Sequence, residues 1–407
     1  MKIRSITSFV DPKYDLIDAQ LKPLSLFSRE LRAAVEAESF EVESTRLATS
    51  PFPGWLTGSL DEQISVLKNV ETAINAHGWD YLSVGPATPG MLEAYKLIPE
   101  LLAATQNIFF GGIISDNRAV YPPAVIACAK IIQQTSILSP DGFANLRFAA
   151  LANVPPHAPF FPAAYHAAGE PAAFSLAMEC ADEAVKAFSS DASLEQARSQ
   201  FLISLESASD RLTPICERIA QKHHVIFKGF DFSPAPFPED WCSLGKAFEL
   251  LGLERIGSVG SLAAATFIAD ALDAGRWPRI GFNGLMLAVM EDSVLAKRAA
   301  EGGLSIKDLL LYSAVCGTGL DTIPLPGDTS IDELAAILLD LASLATRLGK
   351  PLTGRLMPIP GKREGDATEF EFGYFANSRV INTDGQIVSA PIMSAAEIPL
   401  KPRKVHL

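Results

Sequence analysis

Several chemical signatures are missing from this chain. Its five cysteines, Cys128, Cys180, Cys216, Cys242 and Cys316, stand far apart with no CxxC pair, which excludes a zinc knuckle and a disulfide framework. No glycine-rich phosphate loop follows the first strand-like run, so an open dinucleotide-binding sheet is not signalled. No HExxH occurs among the six histidines, and no metal site is indicated by ligand spacing. The longest basic run is the Lys401-Pro-Arg-Lys404 tail and the net charge is −13, which argues against a nucleic-acid partner. The most apolar window, Phe148 to Met178, has Glu170 as its only charged residue. Pro155, Pro156, Pro159, Pro162 and Pro171 interrupt it, so no spanning helix forms there and no membrane partner is expected. The N-terminus enters strand-like alternation without the apolar core of a signal peptide, from which a cytoplasmic location is expected.

What is present is the composition of a compact globular protein: 407 residues, 48% hydrophobic and 20% charged. No fixed-period repeat, low-complexity tract or linker divides it, so a single domain over 1–407 is expected. Short β-rich runs alternate with helical ones, the mark of an α/β protein. Strand candidates are Ile3 to Val10, Val42 to Ala48, Tyr81 to Val84, Ile108 to Ile114, Leu146 to Ala152, Val225 to Phe230, Ile280 to Leu285, Leu352 to Met357 and Phe370 to Phe375, with a short one near Thr322. Leu60 to His77 reads as a helix, with Asp61 and Glu62 in its first turn and Gly78 as its stop. The run from Phe174 to Phe188 also reads as helical. About ten strands result. A TIM-like barrel is the alternative, although it would need fewer.

Four segments concentrate chemistry-bearing residues. Asn153 to Glu170 is proline-stiffened and carries His157, His166 and Glu170, which suit acid/base work, substrate binding, a divalent metal or simple structural hydrogen bonding. Phe230 to Glu239 places Asp231 and Ser233 at a strand end, a position for a base or ligand and equally for a turn or cap. In Ser313 to Asp328, Cys316 lies beside Gly317 and Gly319, which permit a sharp reversal, with Asp321 just beyond. Pro358 to Asp366 offers Lys362 and Arg363 as a clamp for carboxylate or phosphate, or as a solvated loop. Arg46, near a Ser-Pro-Phe-Pro turn, is a further anion contact.

The blocks Thr45-Arg46-Leu-Ala-Thr49, Asn153 to Glu170, Phe227 to Pro238, Val315-Cys-Gly-Thr-Gly-Leu-Asp321 and Pro360-Gly-Lys-Arg-Glu-Gly-Asp366 resemble those of the "domain of unknown function 711" family. The resemblance spans nearly the whole chain. It brings no established activity; it implies the ten-stranded closed α/β barrel of pyruvate formate-lyase and other glycyl radical enzymes, with outer helices and an inserted cysteine loop. Two departures separate the chain from those enzymes. Ser378-Arg-Val-Ile-Asn382 lacks the glycine of their Arg-Val-x-Gly-aromatic block, and Cys316 is followed by Gly317 rather than a second cysteine. No glycyl radical is therefore expected, and the cofactor is unknown.

The resulting expectation is a non-radical enzyme acting on a small polar or anionic metabolite in a barrel cavity. Cys316, Asp231, His166 and Asp321 are its catalytic candidates. Arg46, His157, Glu170, Ser233, Gly317, Gly319, Lys362 and Arg363 are its binding candidates. A metabolite-binding or regulatory protein without catalysis is one alternative, and a metal-dependent hydrolase using His157, His166 and Asp231 is another. A small-molecule ligand is the partner expected, and a homo-oligomer is left open.

Overall fold

The structure is a computed structural model, and it describes residues 1–12, 17–189, 193–315, 317–383, 385, 387–389 and 391–403. Among the described residues eleven strands form one sheet: β1 (Lys2–Val10), β2 (Val42–Thr49), β3 (Tyr81–Ala87), β4 (Ile108–Ser115), β5 (Ala119–Val120), β6 (Phe148–Ala152), β7 (Ala173–Glu179), β8 (Ile226–Asp231), β9 (Gly319–Pro326), β10 (Leu352–Ile359) and β11 (Ile398–Pro399). The main path is β8-β7-β1-β2-β3-β4-β6-β10-β9, with β5 and β11 as a side branch from β4.

From β1 to β6 the strands along this path are parallel, joined through helices. β7 runs antiparallel to β1, and β10 antiparallel to β6. Antiparallel pairs exclude the all-parallel TIM-like arrangement. The closed ring expected from the resemblance is not formed by the ladder among the described residues, because β8 and β9 end the path without pairing with each other. Each instead makes one parallel bridge to the connecting segment between them, Phe230 to Arg279 and Asp321 to Ala288. The α/β class and the large sheet are as the sequence indicates; closure is not.

Local sequence accounts for the helix limits. Ser59 and Glu62 form a reciprocal capping box at the start of Leu60–His77, and Gly78 ends it in the left-handed conformation. Ser330, Glu333 and Gly349 bound Ile331–Leu348 in the same way.

Both faces of the sheet are covered, so its strands read as continuous apolar runs rather than alternating ones. Alternation appears in where they pack. Phe148 and Ala150 join the core shared with the helices. Ala149 and Leu151 point the other way, onto Val154, Ala158, Phe160 and Ala163. Phe9, Ala48, Phe109 and Ala173 likewise meet Phe161 and Ala164. The segment inserted against this second face is thus the proline-rich stretch after β6. It is held by Ser83 Oγ donating to Ala164 O at 2.7 Å and Ser175 Oγ donating to His157 O at 2.9 Å.

Three expected elements differ. Ala173–Glu179 is a strand, and the helix there is Ala181–Phe188; pairing with β1, a tertiary contact, overrides its helical reading. Phe370 to Phe375 is not a strand, because its rings fold onto Phe143, with centroids 5.0 Å apart for Phe372. Ile280 to Leu285 lacks a ladder for the reason given next. No helix among the described residues is long and apolar enough to cross a membrane.

Candidate functional site

A cavity of about 480 Å³ opens on the face covered by the proline-rich segment, with Arg4, Arg46, Tyr81, Phe109, Phe160, Phe161, Asp231, Ser233, Glu291 and Arg355 in its wall. The parallel strands β1 to β4 contribute their N-terminal ends. The antiparallel neighbours β7 and β8 contribute their C-terminal ends, which brings Arg4 and Arg46 to the same cavity as Asp231.

Its floor is a buried ion network. Glu291 accepts from Arg4 and, at 2.8 Å, from Arg355 Nη2. Arg355 Nε also donates to Asp321 Oδ1 at 2.5 Å. Burial alone would raise Glu291, but the two guanidinium groups hold it below the ordinary carboxylate range. Asp321 is pushed up by burial, against the pull of Arg355, and its Oδ2 has no hydrogen-bond partner among the described residues. Glu179, at the end of β7, is raised by burial to about 7 although Arg4 lies 3.8 Å away.

Glu179 gives a signed pH prediction. Its folded value exceeds the ordinary 4.5, so the native state keeps a proton that the unfolded chain releases. The stabilisation is full below about 4.5 and is lost as pH rises through about 7. Glu179→Gln should flatten that part of the profile relative to the wild type, read by urea denaturation at several pH values. Parallel profiles would mean that Glu179 ionises normally.

Arg46 differs from the other guanidinium groups. Its Nε donates to Ser44 Oγ at 2.9 Å, and the nearest carboxylate, Glu43, is 4.0 Å from Nη2. Its plane lies near Phe161 and Tyr81, 5.2 and 5.9 Å from their centroids. Burial pushes it down to about 10, with Glu43 opposing. A guanidinium in that condition is short of a negative partner. Arg147 also makes no ion pair among the described residues, but it donates to the carbonyls of Leu102 and Thr105, both at 2.9 Å.

Asp231 is in the wall but heavily engaged. Oδ1 accepts from Ser233 Oγ at 2.6 Å, Ser233 N at 3.0 Å and Asn283 N at 3.0 Å, and Oδ2 from Phe282 N at 2.8 Å. Burial raises it against these donors. Ser233 Oγ accepts from Gly284 N at 3.0 Å. A Cβ on Gly281 would lie 2.3 Å from Asp231 Oδ2, so only glycine permits this approach. The carboxylate therefore ties 281–284 to β8, and backbone amides that point at it cannot join a ladder.

His157, His166 and Glu170 do come together, but outside the cavity wall. His166 Nε2 donates to the carbonyl of Glu170 at 3.0 Å, which leaves Nδ1 unprotonated in the neutral ring. Nδ1 then accepts from His157 Nε2 at 3.0 Å. The Glu170 carboxylate pairs with Lys228 at 2.9 Å. Burial, then Lys228 and His166, lower His157 to about 4, and His166 is lowered mainly by burial. Among the described residues no group of three or more His, Cys, Asp or Glu side chains is placed to hold a metal, so His157, His166 and Asp231 do not assemble as the ligand set considered above.

The remaining candidates are placed as follows. Cys316 lies outside the described residues, while Cys128, Cys180, Cys216 and Cys242 are buried and free. Gly317 follows Ile306–Val315 and packs on Ser313, and Gly319 is the first residue of β9, packed on Thr353. Lys362 pairs with Glu369 at 2.9 Å, and the Arg363 amide donates to Asp366 at 2.7 Å, in an exposed turn away from the cavity. Sequence reading missed Arg4, Glu179, Glu291 and Arg355. Arg355 is a single charge inside an apolar run, Leu-Thr-Gly-Arg355-Leu-Met-Pro-Ile, and that interruption was an available signal; Arg4, Glu179 and Glu291 have other charged residues within three positions and carry no such mark.

The family model described as "Uncharacterised ACR (DUF711)" matches residues 1–377. The chain belongs to the DUF711 family. Among its relatives is a UPF0210 protein of Pyrobaculum arsenaticum, 31% identical over 86% of this chain and 82% of that protein. Another, from Pyrobaculum islandicum, is 30% identical over 96% and 88%. A third, from Methanopyrus kandleri, is 30% identical over 82% and 74%. DUF711 carries no named activity, so any function rests on the site itself.

Proposed function

We propose that this DUF711 protein takes a small organic anion into its cavity, with Arg46 as the anchoring cation. The observation that carries this is a largely buried guanidinium, 12% exposed, whose one close hydrogen bond among the described residues is to a neutral hydroxyl, Ser44 Oγ. A carboxylate or phosphate accepting from its free N–H groups would supply the missing charge. The cavity volume, about 480 Å³, is in the ordinary range for a small-molecule site. The same reading holds the protein to be a cytoplasmic, non-radical enzyme with Cys316 as its thiol, Asp321, Asp231 and His166 in support, and Lys362 and Arg363 outside the primary contact. What supports a link is that β9, which begins just after the thiol, delivers Asp321 to Arg355 in the cavity wall.

The ten-stranded barrel of the glycyl radical enzymes belongs to this proposal too. It is supported by the two bridges from 279–288 to β8 and β9, which span the open edge. The alternative of binding without turnover is favoured by one observation, that the donors on Asp231 occupy most of its lone pairs.

Arg46→Met should weaken binding of small carboxylates or phosphate at least tenfold in calorimetric titration, with little change in folding. Equal affinity in the variant would remove Arg46 from the site.

A further inference from the structure

The choice of anion can be read from how the cavity's charges are already committed. Arg4 and Arg355 share Glu291, Arg355 also holds Asp321, and Arg147 is used by main-chain carbonyls. An incoming ligand therefore meets one under-partnered guanidinium, Arg46, with Glu43 already 4.0 Å from it. A second negative charge on the ligand would find no further under-partnered cation among the described lining residues and would share the cavity with Asp80 and Asp231. An unpaired charge in a buried space is costly. Charge thus selects a monoanion.

The rest of the wall concerns the body of that ligand. Tyr81, Phe109 and Phe161 form an edge-to-face cluster beside Arg46, with centroids 5.4 Å apart for both Tyr81–Phe109 and Phe109–Phe161. A second group brings Phe143 to Phe372 at 5.0 Å and Phe372 to Tyr374 at 5.3 Å, and all three residues line the cavity. Ring edges and faces carry opposite partial charge, so such walls favour a planar π-system over an alkyl group of equal area. Because the Arg46 plane lies near Phe161 and Tyr81, a carboxylate would approach its N–H edge, which orients the attached ring toward the same aromatic cluster.

From the one under-partnered guanidinium among the described lining residues and the aromatic clusters in the cavity wall, we infer that the cavity selects aromatic monocarboxylates, one or two rings in size, over compact dianions and aliphatic acids. This rests on the reading of Arg46 as the anion anchor.

The test is calorimetric titration of the full-length wild-type protein with benzoate, phenylacetate and indole-3-acetate, set against cyclohexanecarboxylate, succinate and inorganic phosphate. At least one aryl acid should bind tenfold or more tightly than succinate or phosphate, and benzoate at least threefold more tightly than cyclohexanecarboxylate. Arg46→Met should weaken the aryl acid tenfold or more. Phe372→Leu, in the second aromatic group of the wall, should weaken it threefold or more. Arg46-dependent binding of succinate or phosphate as tight as that of the aryl acids would overturn the selectivity and leave the anion site standing. Equal affinity for benzoate and cyclohexanecarboxylate would overturn the aromatic preference. Absence of binding by every acid and by phosphate would remove both readings. The ligand comparison is made on the wild type, so it decides the question even where a variant folds poorly.

Discussion

Arg355→Met should destabilise the protein by about 3–5 kcal/mol, the usual consequence of removing one partner from a buried ion pair. The guanidinium is 6% exposed and bridges Glu291 and Asp321, which are 5% and 0% exposed. Without it, Glu291 keeps Arg4, but Asp321 is left without a cation, and its Oδ2 already lacks a hydrogen bond. Much of the loss should therefore come from one stranded carboxylate. Urea denaturation would show a lower midpoint at unchanged slope. The double variant Arg355→Met with Asp321→Leu should recover a large share of the loss, because the stranded charge is removed with its partner. A single-variant loss below about 1 kcal/mol would indicate that water reaches the network and that the pairs behave as surface ones.

Asp231→Ala is expected to cost about 3 kcal/mol or more, since it leaves buried donors on Ser233, Phe282 and Asn283 without their acceptor. Asp231→Asn should not rescue it fully, because an amide NH₂ would face N–H groups that need an acceptor. Thermal denaturation of both variants checks this. Wild-type stability in either would mean that the carboxylate is not held by those amides and is free for acid/base chemistry. That outcome would favour the catalytic assignment; the expected one makes Asp231 the clasp between β8 and 281–284 and counts toward the alternative of binding without turnover.

Opposite pH trends should coexist in the wild type. Glu179 contributes stability that fades as pH rises toward about 7. His157, lowered to about 4 from the ordinary 6.5, contributes stability that is present above about 6.5 and lost as pH falls toward about 4. The groups sit in separate clusters, so the Glu179→Gln difference isolates the first.

Much was legible in the chain itself. The α/β class follows from apolar periodicity, and the limits of Leu60–His77 and Ile331–Leu348 follow from Ser, Glu and Gly at cap positions, because those interactions span only a few residues. The sequence also brought forward Asn153 to Glu170, Asp231 and Arg46, since prolines, a strand-end carboxylate and a cation near a Ser-Pro-Phe-Pro turn are local anomalies. Tertiary structure alone decided how they are used. It made Ala173–Glu179 a strand by laying it on β1, set the histidine pair behind the cavity wall, and matched Arg4, Glu291 and Arg355 while leaving Arg46 short of a partner. Those outcomes depend on contacts across hundreds of residues, whose burial and charge compensation no local pattern encodes.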